Sequence, residues 1–137
     1  MPTTLTSIHK IMTKNVMTTR PDDYASQVLL QILSGQYSGM PVIDAGRHVV
    51  GVISEFDLLK AVRKGMALEE VKVKDLMTKD PLTADISATP ESVVDMMISR
   101  NIIRIPIVED GKLAGVVSRS DILMAYYNSD FIIKFTS

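Results

Sequence analysis

The chain states one pattern twice. Met12-Thr13-Lys14-Asn15 opens a segment that passes through Met40-Pro41-Val42-Ile43 and reaches Gly51-Val52-Ile53-Ser54-Glu55-Phe56-Asp57. Met77-Thr78-Lys79-Asp80 opens a second that passes through Ile105-Pro106-Ile107-Val108 and reaches Gly115-Val116-Val117-Ser118-Arg119-Ser120-Asp121. The spacing between copies is 65 residues at the methionines and the prolines, and 64 at the glycines and the aspartates. A single deletion in the turn before Gly115 aligns everything. Self-similarity at a fixed offset constrains the architecture before any local reading. Two copies make a pseudo-symmetric pair rather than a solenoid, and one copy alone buries too little surface to be stable.

Each copy reads in the same order. A short helical turn (residues 8–13; 73–78) precedes an extended stretch, Val16-Met17-Thr18-Thr19 or Leu82-Thr83-Ala84. An amphipathic helix follows. Ala25, Val28, Leu29, Ile32 and Leu33 recur on one helical face, with Asp22 or Asp23 able to cap it. In the second copy Thr89 is a natural N-cap, Pro90 suits the first helical position, and Val93, Met96 and Met97 carry the apolar face. Two β-branched runs come next, residues 40–43 with 49–53 and 105–108 with 113–117. Asp44-Ala45-Gly46-Arg47 and Glu109-Asp110-Gly111-Lys112 separate them as hairpin turns. Such runs suit strands buried on both faces. A second helix closes each copy, from Glu55 to Lys64 and from Arg119 to about Asn128, with Gly65 as a C′ residue. The expected fold is α/β (α+β): two β-α-β-β-α repeats, residues 8–64 and 73–128, packed with pseudo-two-fold symmetry in a single domain of 137 residues. Residues 65–72 read as a partly helical linker. Residues 129–137 form an apolar tail, Phe131-Ile132-Ile133-Lys134-Phe135, of a kind that docks on its own domain or on a partner.

Bulk properties remove several function classes. A net charge of −1 offers no electrostatic case for nucleic acid or an anionic membrane surface. The chain has no cysteine, hence no disulfide scaffold, thiolate metal site or cysteine nucleophile. No apolar run approaches the roughly 18 residues that span a bilayer, and no signal-peptide core is present, so a cytoplasmic location is expected. His9 and His48 have no second ligand at metal spacing. Nucleophile elbow, Walker loop and dinucleotide fingerprint are all missing. Nothing argues for catalysis.

What recurs is Gly-h-h-Ser-x-x-Asp at a strand-to-helix junction. The first free N–H groups of a helix suit phosphate there. Ser118 and Ser120 offer hydroxyl donors, and Asp121 offers a carboxylate acceptor for a ribose diol. The same residues also read as plain helix caps, with Ser118 or Ser54 at the N-cap and Asp121 or Asp57 at N3.

This ordered set resembles a tandem CBS-domain pair, the Bateman module, over about residues 8–128. The residues carrying the resemblance are Met12-Thr13 and Met77-Thr78, Thr18-x-x-Pro21 with Thr83, the two h-Pro-h-h strands, and the two Gly-h-h-Ser-x-x-Asp motifs. The resemblance implies a regulatory, non-catalytic module without a catalytic cofactor. It would bind an adenosyl ligand, most simply AMP, ADP or ATP, with S-adenosylmethionine or NAD as further possibilities. It also implies two clefts between the repeats. One would use Thr18, Tyr37, Ser38, Met40 and Pro41 with Ser118, Ser120 and Asp121. Its Tyr37-Ser38-Gly39 stretch resembles the adenine-contacting segment in the CBS regions of chloride channels, although Tyr37 also reads as an ordinary half-buried aromatic. The other would use Thr83, Ile103, Arg104, Ile105 and Pro106 with Ser54 and Asp57. Here the pattern weakens: Phe56 replaces the second hydroxyl and Glu55 adds negative charge. Arg104 stands where some family members carry a phosphate-contacting base, or is a solvated surface charge. Unequal sites are expected, the Ser118/Asp121 cleft being the tighter.

The family commonly forms disc-like dimers. A homodimer is therefore expected, with Ile122, Leu123, Tyr126 and the tail as contact surfaces and another polypeptide as the regulated partner. The rival reading is a structural dimerisation or protein-interaction module with vestigial clefts.

Overall fold

A computed structural model describes residues 7–35 and 37–128. The apolar tail expected at residues 129–137 lies outside them. The elements run α1 (Ile8–Ile11), α2 (Ala25–Leu33), β1 (Gly39–Ile43), β2 (Val49–Ser54), α3 (Glu55–Arg63), α4 (Val73–Leu76), β3 (Thr78–Lys79), β4 (Ala84–Asp85), α5 (Pro90–Arg100), β5 (Arg104–Glu109), β6 (Lys112–Ser118) and α6 (Arg119–Tyr126). This is a mixed α+β fold, as the patterning predicts.

The described chain divides into two compact units, residues 16–81 apart from 36, and residues 7–15 with 82–128. The units are staggered against the sequence repeats. The opening of the first repeat is built into the unit that holds the second, and the opening of the second repeat into the unit that holds the first.

In the unit of residues 16–81 the sheet order is β1-β2-β3, with both pairings antiparallel. Thr19 adds an isolated parallel bridge to Val42 on the free side of β1. The other unit repeats the arrangement. Its order is β4-β5-β6, with β4 parallel to β5, and Thr13 bridges antiparallel to Val116 on β6. Thus β3 in one sheet corresponds to the Thr13 bridge in the other, and β4 to the Thr19 bridge. The opening strand expected at residues 16–19 is reduced to that one bridge. Pro41 and Pro106 sit in β1 and β5 without an N–H, so neither can donate a further ladder bond.

Each unit has its own core. Ala25, Val28, Met40, Val42, Ile53, Leu58, Ala61, Leu68, Val71 and Val73 cluster in the first. Ile8, Ile11, Met12, Ala84, Val93, Met97, Ile105, Ile107, Val117 and Ile122 cluster in the second. β1 carries four consecutive buried residues, as its β-branched run predicts, whereas in β2 only Gly51 and Ile53 are buried and the rest are half-buried. Residues 66–72 correct another expectation. They form turns without a helix, and Leu68 and Val71 are buried, so the segment is part of the core rather than a spacer. Its carbonyls at Leu68 and Val71 accept from the N–H groups of Ser26 and Ala25, which serves the first turn of α2.

The caps follow local chemistry, with one exception. Thr89 caps α5 by accepting from Ser92 N–H, with Pro90 at its first turn. Gly65 takes φ +82° after α3, and Asn101 takes φ 50° after α5. Neither Asp22 nor Asp23 caps α2. Tyr24 holds the N-cap position, and its N–H donates to the Gln27 side chain at 2.8 Å. Asp23 is already engaged, accepting from the Thr19 hydroxyl and from Arg20 N–H, both at 2.9 Å. Asp22 instead faces Lys74 at 3.1 Å and Lys72 at 3.6 Å. The Lys74 contact is the main reason its carboxyl is held below the ordinary value. In the second hairpin Asp110 and Gly111 both take positive φ, as a two-residue turn with this twist requires. In the first hairpin Arg47 takes it, and the Asp44 carboxylate organises the turn by accepting from Gly46 and His48 N–H at 2.9 and 2.8 Å.

Candidate functional site

The repeated motif lies where the second strand of each hairpin runs straight into a helix: β2 into α3, and β6 into α6. The glycine at its head is explained by packing. A β-carbon on Gly115 would stand 2.7 Å from the Thr13 carbonyl oxygen and 2.9 Å from Met12 Sδ. One on Gly51 would stand 2.5 Å from Met77 Sδ and 2.9 Å from the Thr78 carbonyl oxygen. The Met-Thr dipeptide that opens each repeat therefore crosses over the glycine that heads the motif in the other. The chain then bends at Asn15 (φ 52°) and Asp80 (φ 50°), residue types that tolerate the left-handed region.

The serine and aspartate form a reciprocal cap in both copies. Ser118 Oγ accepts from Asp121 N–H at 3.1 Å while Asp121 Oδ2 accepts from Ser118 N–H at 2.9 Å. Ser54 Oγ accepts from Asp57 N–H at 3.4 Å while Asp57 Oδ2 accepts from Ser54 N–H at 2.9 Å. The capping role is thus present, and it consumes only one oxygen of each carboxylate.

Beyond the cap the two motifs differ. Ser118 Oγ lies 2.9 Å from Ser120 Oγ, and the Thr13 hydroxyl donates to Asp121, 3.5 Å from Oδ1 and 3.4 Å from Oδ2. The Thr13 hydroxyl is thus the side-chain donor to the carboxylate, while the Ser118 and Ser120 hydroxyls pair with each other at the same junction. At the other motif Phe56 fills the Ser120 position and is exposed. Asp57 Oδ1 faces Lys60 Nζ at 3.7 Å, and that ammonium also lies 5.0 Å from the Phe56 ring centre. The Asp57 side chain is only 11% exposed. Asp121 has no ion-pair partner among the described residues.

The remaining predicted residues sit beside the motif of their own unit. Gly39 pairs with Ser54, and the Ser38 carbonyl accepts from Glu55 N–H at 2.9 Å, so Tyr37 and Ser38 lie at the start of β1 next to Ser54. Arg104 pairs with Ser118, and the Ile103 carbonyl accepts from Arg119 N–H at 2.9 Å, the same relation. Tyr37, Ile103 and Arg104 are exposed, while Thr18 and Thr83 are half-buried. Met40, Pro41, Ile105 and Pro106 are buried, so any ligand contact there would be made by backbone. Within one unit the structure thus assembles Thr18, Tyr37, Ser38, Met40 and Pro41 with Ser54 and Asp57. Within the other it assembles Thr83, Ile103, Arg104, Ile105 and Pro106 with Ser118, Ser120 and Asp121. Each cleft expected from the resemblance draws one set from each unit. The sequence reading missed Thr13, whose place beside Asp121 depends on a contact 108 residues along the chain. It also missed Asp23, the acceptor that holds the buried Thr19.

Among the described residues no group of three or more His, Cys, Asp or Glu side chains could hold a metal, and no helix is long and apolar enough to cross a membrane.

The chain is 32% identical over 115 residues to inosine-5′-monophosphate dehydrogenase of Methanocaldococcus jannaschii, a match that covers 83% of this chain but 22% of that enzyme. The chain accordingly spans about a fifth of the length of that relative. Among solved structures it resembles CBSX2 of Arabidopsis thaliana in complex with AMP, with a TM-score of 0.79 and 26% identity over 90% of this chain and 98% of that one. It also resembles the CBS-domain containing protein ATU1752 from Agrobacterium tumefaciens, with a TM-score of 0.75 and 27% identity over 88% and 98% of the two chains. The CBS domain model matches residues 8–64 and again residues 73–128. With both copies of the repeat matched and the fold shared with CBS-pair structures, this chain belongs to the CBS-domain family as a tandem pair.

Proposed function

We propose that the chain is a non-catalytic regulatory module that binds an adenosine-containing ligand of the AMP, ADP or ATP class and passes that state to a partner protein. The observation that carries this reading is the Ser118-Arg119-Ser120-Asp121 junction. Its carboxylate keeps acceptor capacity beyond the cap, has one hydroxyl donor, Thr13, lies beside the paired Ser118 and Ser120 hydroxyls, and lacks a neutralising ion pair among the described residues. A carboxylate in that state suits a vicinal diol, and hydroxyls with helix N–H groups suit a phosphate. The similarity to CBSX2, whose structure holds AMP, supports the same ligand class. S-adenosylmethionine and NAD share the adenosyl group and remain within the class.

The proposed ligand contacts are Thr18, Tyr37, Ser38, Met40 and Pro41 with Ser118, Ser120 and Asp121. A weaker set comprises Thr83, Ile103, Arg104, Ile105 and Pro106 with Ser54 and Asp57. Asp57 is the poorer acceptor because Lys60 competes for it. A homodimer built on the exposed apolar residues of the closing helices, including Leu123, and a cytoplasmic location complete the proposal.

The test is isothermal titration of nucleotide-stripped protein with AMP, ADP, ATP, NAD and S-adenosylmethionine, beside Asp121→Ala. Saturable binding to at least one ligand, lost in a variant that remains folded, supports the proposal. Absence of binding to all five overturns it. That result would favour the second reading, a structural interaction module, for which Phe56 and the Asp57–Lys60 pair are the supporting observations.

A further inference from the structure

The opening segment of the first repeat is fastened to β6 at the motif. Thr13 N–H donates to the Val116 carbonyl at 2.9 Å, and Val116 N–H donates to the Thr13 carbonyl at 3.0 Å. Gly115 allows this approach because any β-carbon there would meet the Thr13 carbonyl. These two bonds hold the Thr13 backbone, and its side chain carries the hydroxyl toward Asp121. That hydroxyl stands 3.4 and 3.5 Å from the two oxygens of Asp121. Ser118 N–H holds Oδ2 of the same carboxylate from the other direction at 2.9 Å. Two donors from distant parts of the sequence therefore reach one carboxylate, Ser118 N–H closely and the Thr13 hydroxyl at longer range.

The counterpart in the other unit is built differently. Thr78 pairs with Val52, as Thr13 does with Val116, yet among the described residues its hydroxyl makes no bond to Asp57. The second oxygen of Asp57 faces a lysine instead. The Thr13 contact is therefore not a consequence of the fold alone.

The geometry points to Thr13 as a positioning residue that orients Asp121 for the vicinal diol of the ligand, a role that rests on the proposal that this motif binds the ribose. A carboxylate grips two adjacent hydroxyls only when its plane is held toward them, and a preoriented acceptor loses less freedom on binding. Removing the hydroxyl should weaken binding by about three- to tenfold, the size of one hydrogen bond's net contribution. It should also blur discrimination against a ligand that lacks one hydroxyl of the diol.

The experiment titrates wild type, Thr13→Val, Thr13→Ser and Asp121→Ala with AMP and with 2′-deoxy-AMP, with thermal unfolding of each. Thr13→Val keeps the β-branched shape and should bind AMP more weakly, with the AMP to deoxy-AMP affinity ratio falling toward one. Thr13→Ser should restore both. If Asp121→Ala weakens AMP while Thr13→Val leaves the affinity and the ratio unchanged, the role of Thr13 is overturned and the ligand proposal stands. If Thr13→Val and Thr13→Ser weaken both ligands equally in step with lowered Tm, Thr13 is structural only and the inference falls. If wild type binds neither ligand, the role of Thr13 toward AMP is overturned, while the ligand proposal falls only if the other four ligands also fail to bind.

Discussion

The Thr13 carbonyl oxygen lies 2.7 Å from the point where a β-carbon on Gly115 would stand, and no L-residue other than glycine fits beneath it undisturbed. Because the obstructing atom is backbone held by two hydrogen bonds, it cannot swing aside. Gly115→Ala should therefore destabilise the chain by about 1–3 kcal/mol through overpacking, read as a lower urea midpoint. Gly51→Ala should cost somewhat less, since its backbone obstruction, the Thr78 carbonyl oxygen, stands at 2.9 Å rather than 2.7 Å and its nearest one is the flexible thioether of Met77. Equal stability of Gly115→Ala and wild type would contradict the close approach.

The two reciprocal caps predict different consequences for ligand and for stability. Ser118→Ala and Ser54→Ala each remove an N-cap acceptor and should each cost about 1 kcal/mol of stability. The effect on AMP affinity should be unequal. Asp121→Ala should weaken binding at least about tenfold more than Asp57→Ala, because Asp57 already has Lys60 as a partner. Comparable losses in titrations of the two variants would show that the sites are equivalent.

Ile105 is fully buried at the centre of its core, whereas Ile98 on α5 is 74% exposed. Ile105→Ala should cost about 2–5 kcal/mol, the transfer of the side chain plus the cavity left behind. Ile98→Ala should change stability by less than about 0.5 kcal/mol. Denaturant unfolding of the two single variants measures the contrast directly, and similar midpoints would contradict the assigned burial.

Asp44 carries the pH prediction. Its carboxyl is held below the ordinary value of 3.8, first by the backbone N–H of His48, opposed next by burial, and lowered further by the His48 side chain and Gly46 N–H. A carboxyl with a lowered folded value contributes stability above its unfolded value, and that contribution disappears as pH falls through the folded value. The group is exposed, so the effect is small. Wild type should unfold at a slightly higher temperature than Asp44→Ala at pH 7, and the gap should close below about pH 4. A gap that persists unchanged at pH 3 would show that the carboxylate does not order this turn.

Local chemistry was legible from the chain. The duplicated motif, the β-branched runs, Thr89 with Pro90, Gly65 and the Asp110-Gly111 turn each act within a few residues, so composition and spacing suffice to place them. Capping of α2 was not legible. Asp22 and Asp23 are both good caps by type, but each is drawn to a partner that the sequence does not rank, Asp22 to Lys74 and Asp23 to Thr19.

The sequence by itself determined that one pattern occurs twice and where each serine–aspartate cap falls, because a repeat and a cap are written in the order of residues along the chain. Only the tertiary structure decided which Met-Thr dipeptide lies on which glycine, and hence that Thr13 stands beside Asp121 while Lys60 stands beside Asp57. Both repeats carry the same dipeptide and the same glycine, so either pairing satisfies the pattern. The choice is made by core burial, which places Met12 among Val93, Met97 and Ile105 and packs Met77 against the core around Val28, Ile53 and Leu58.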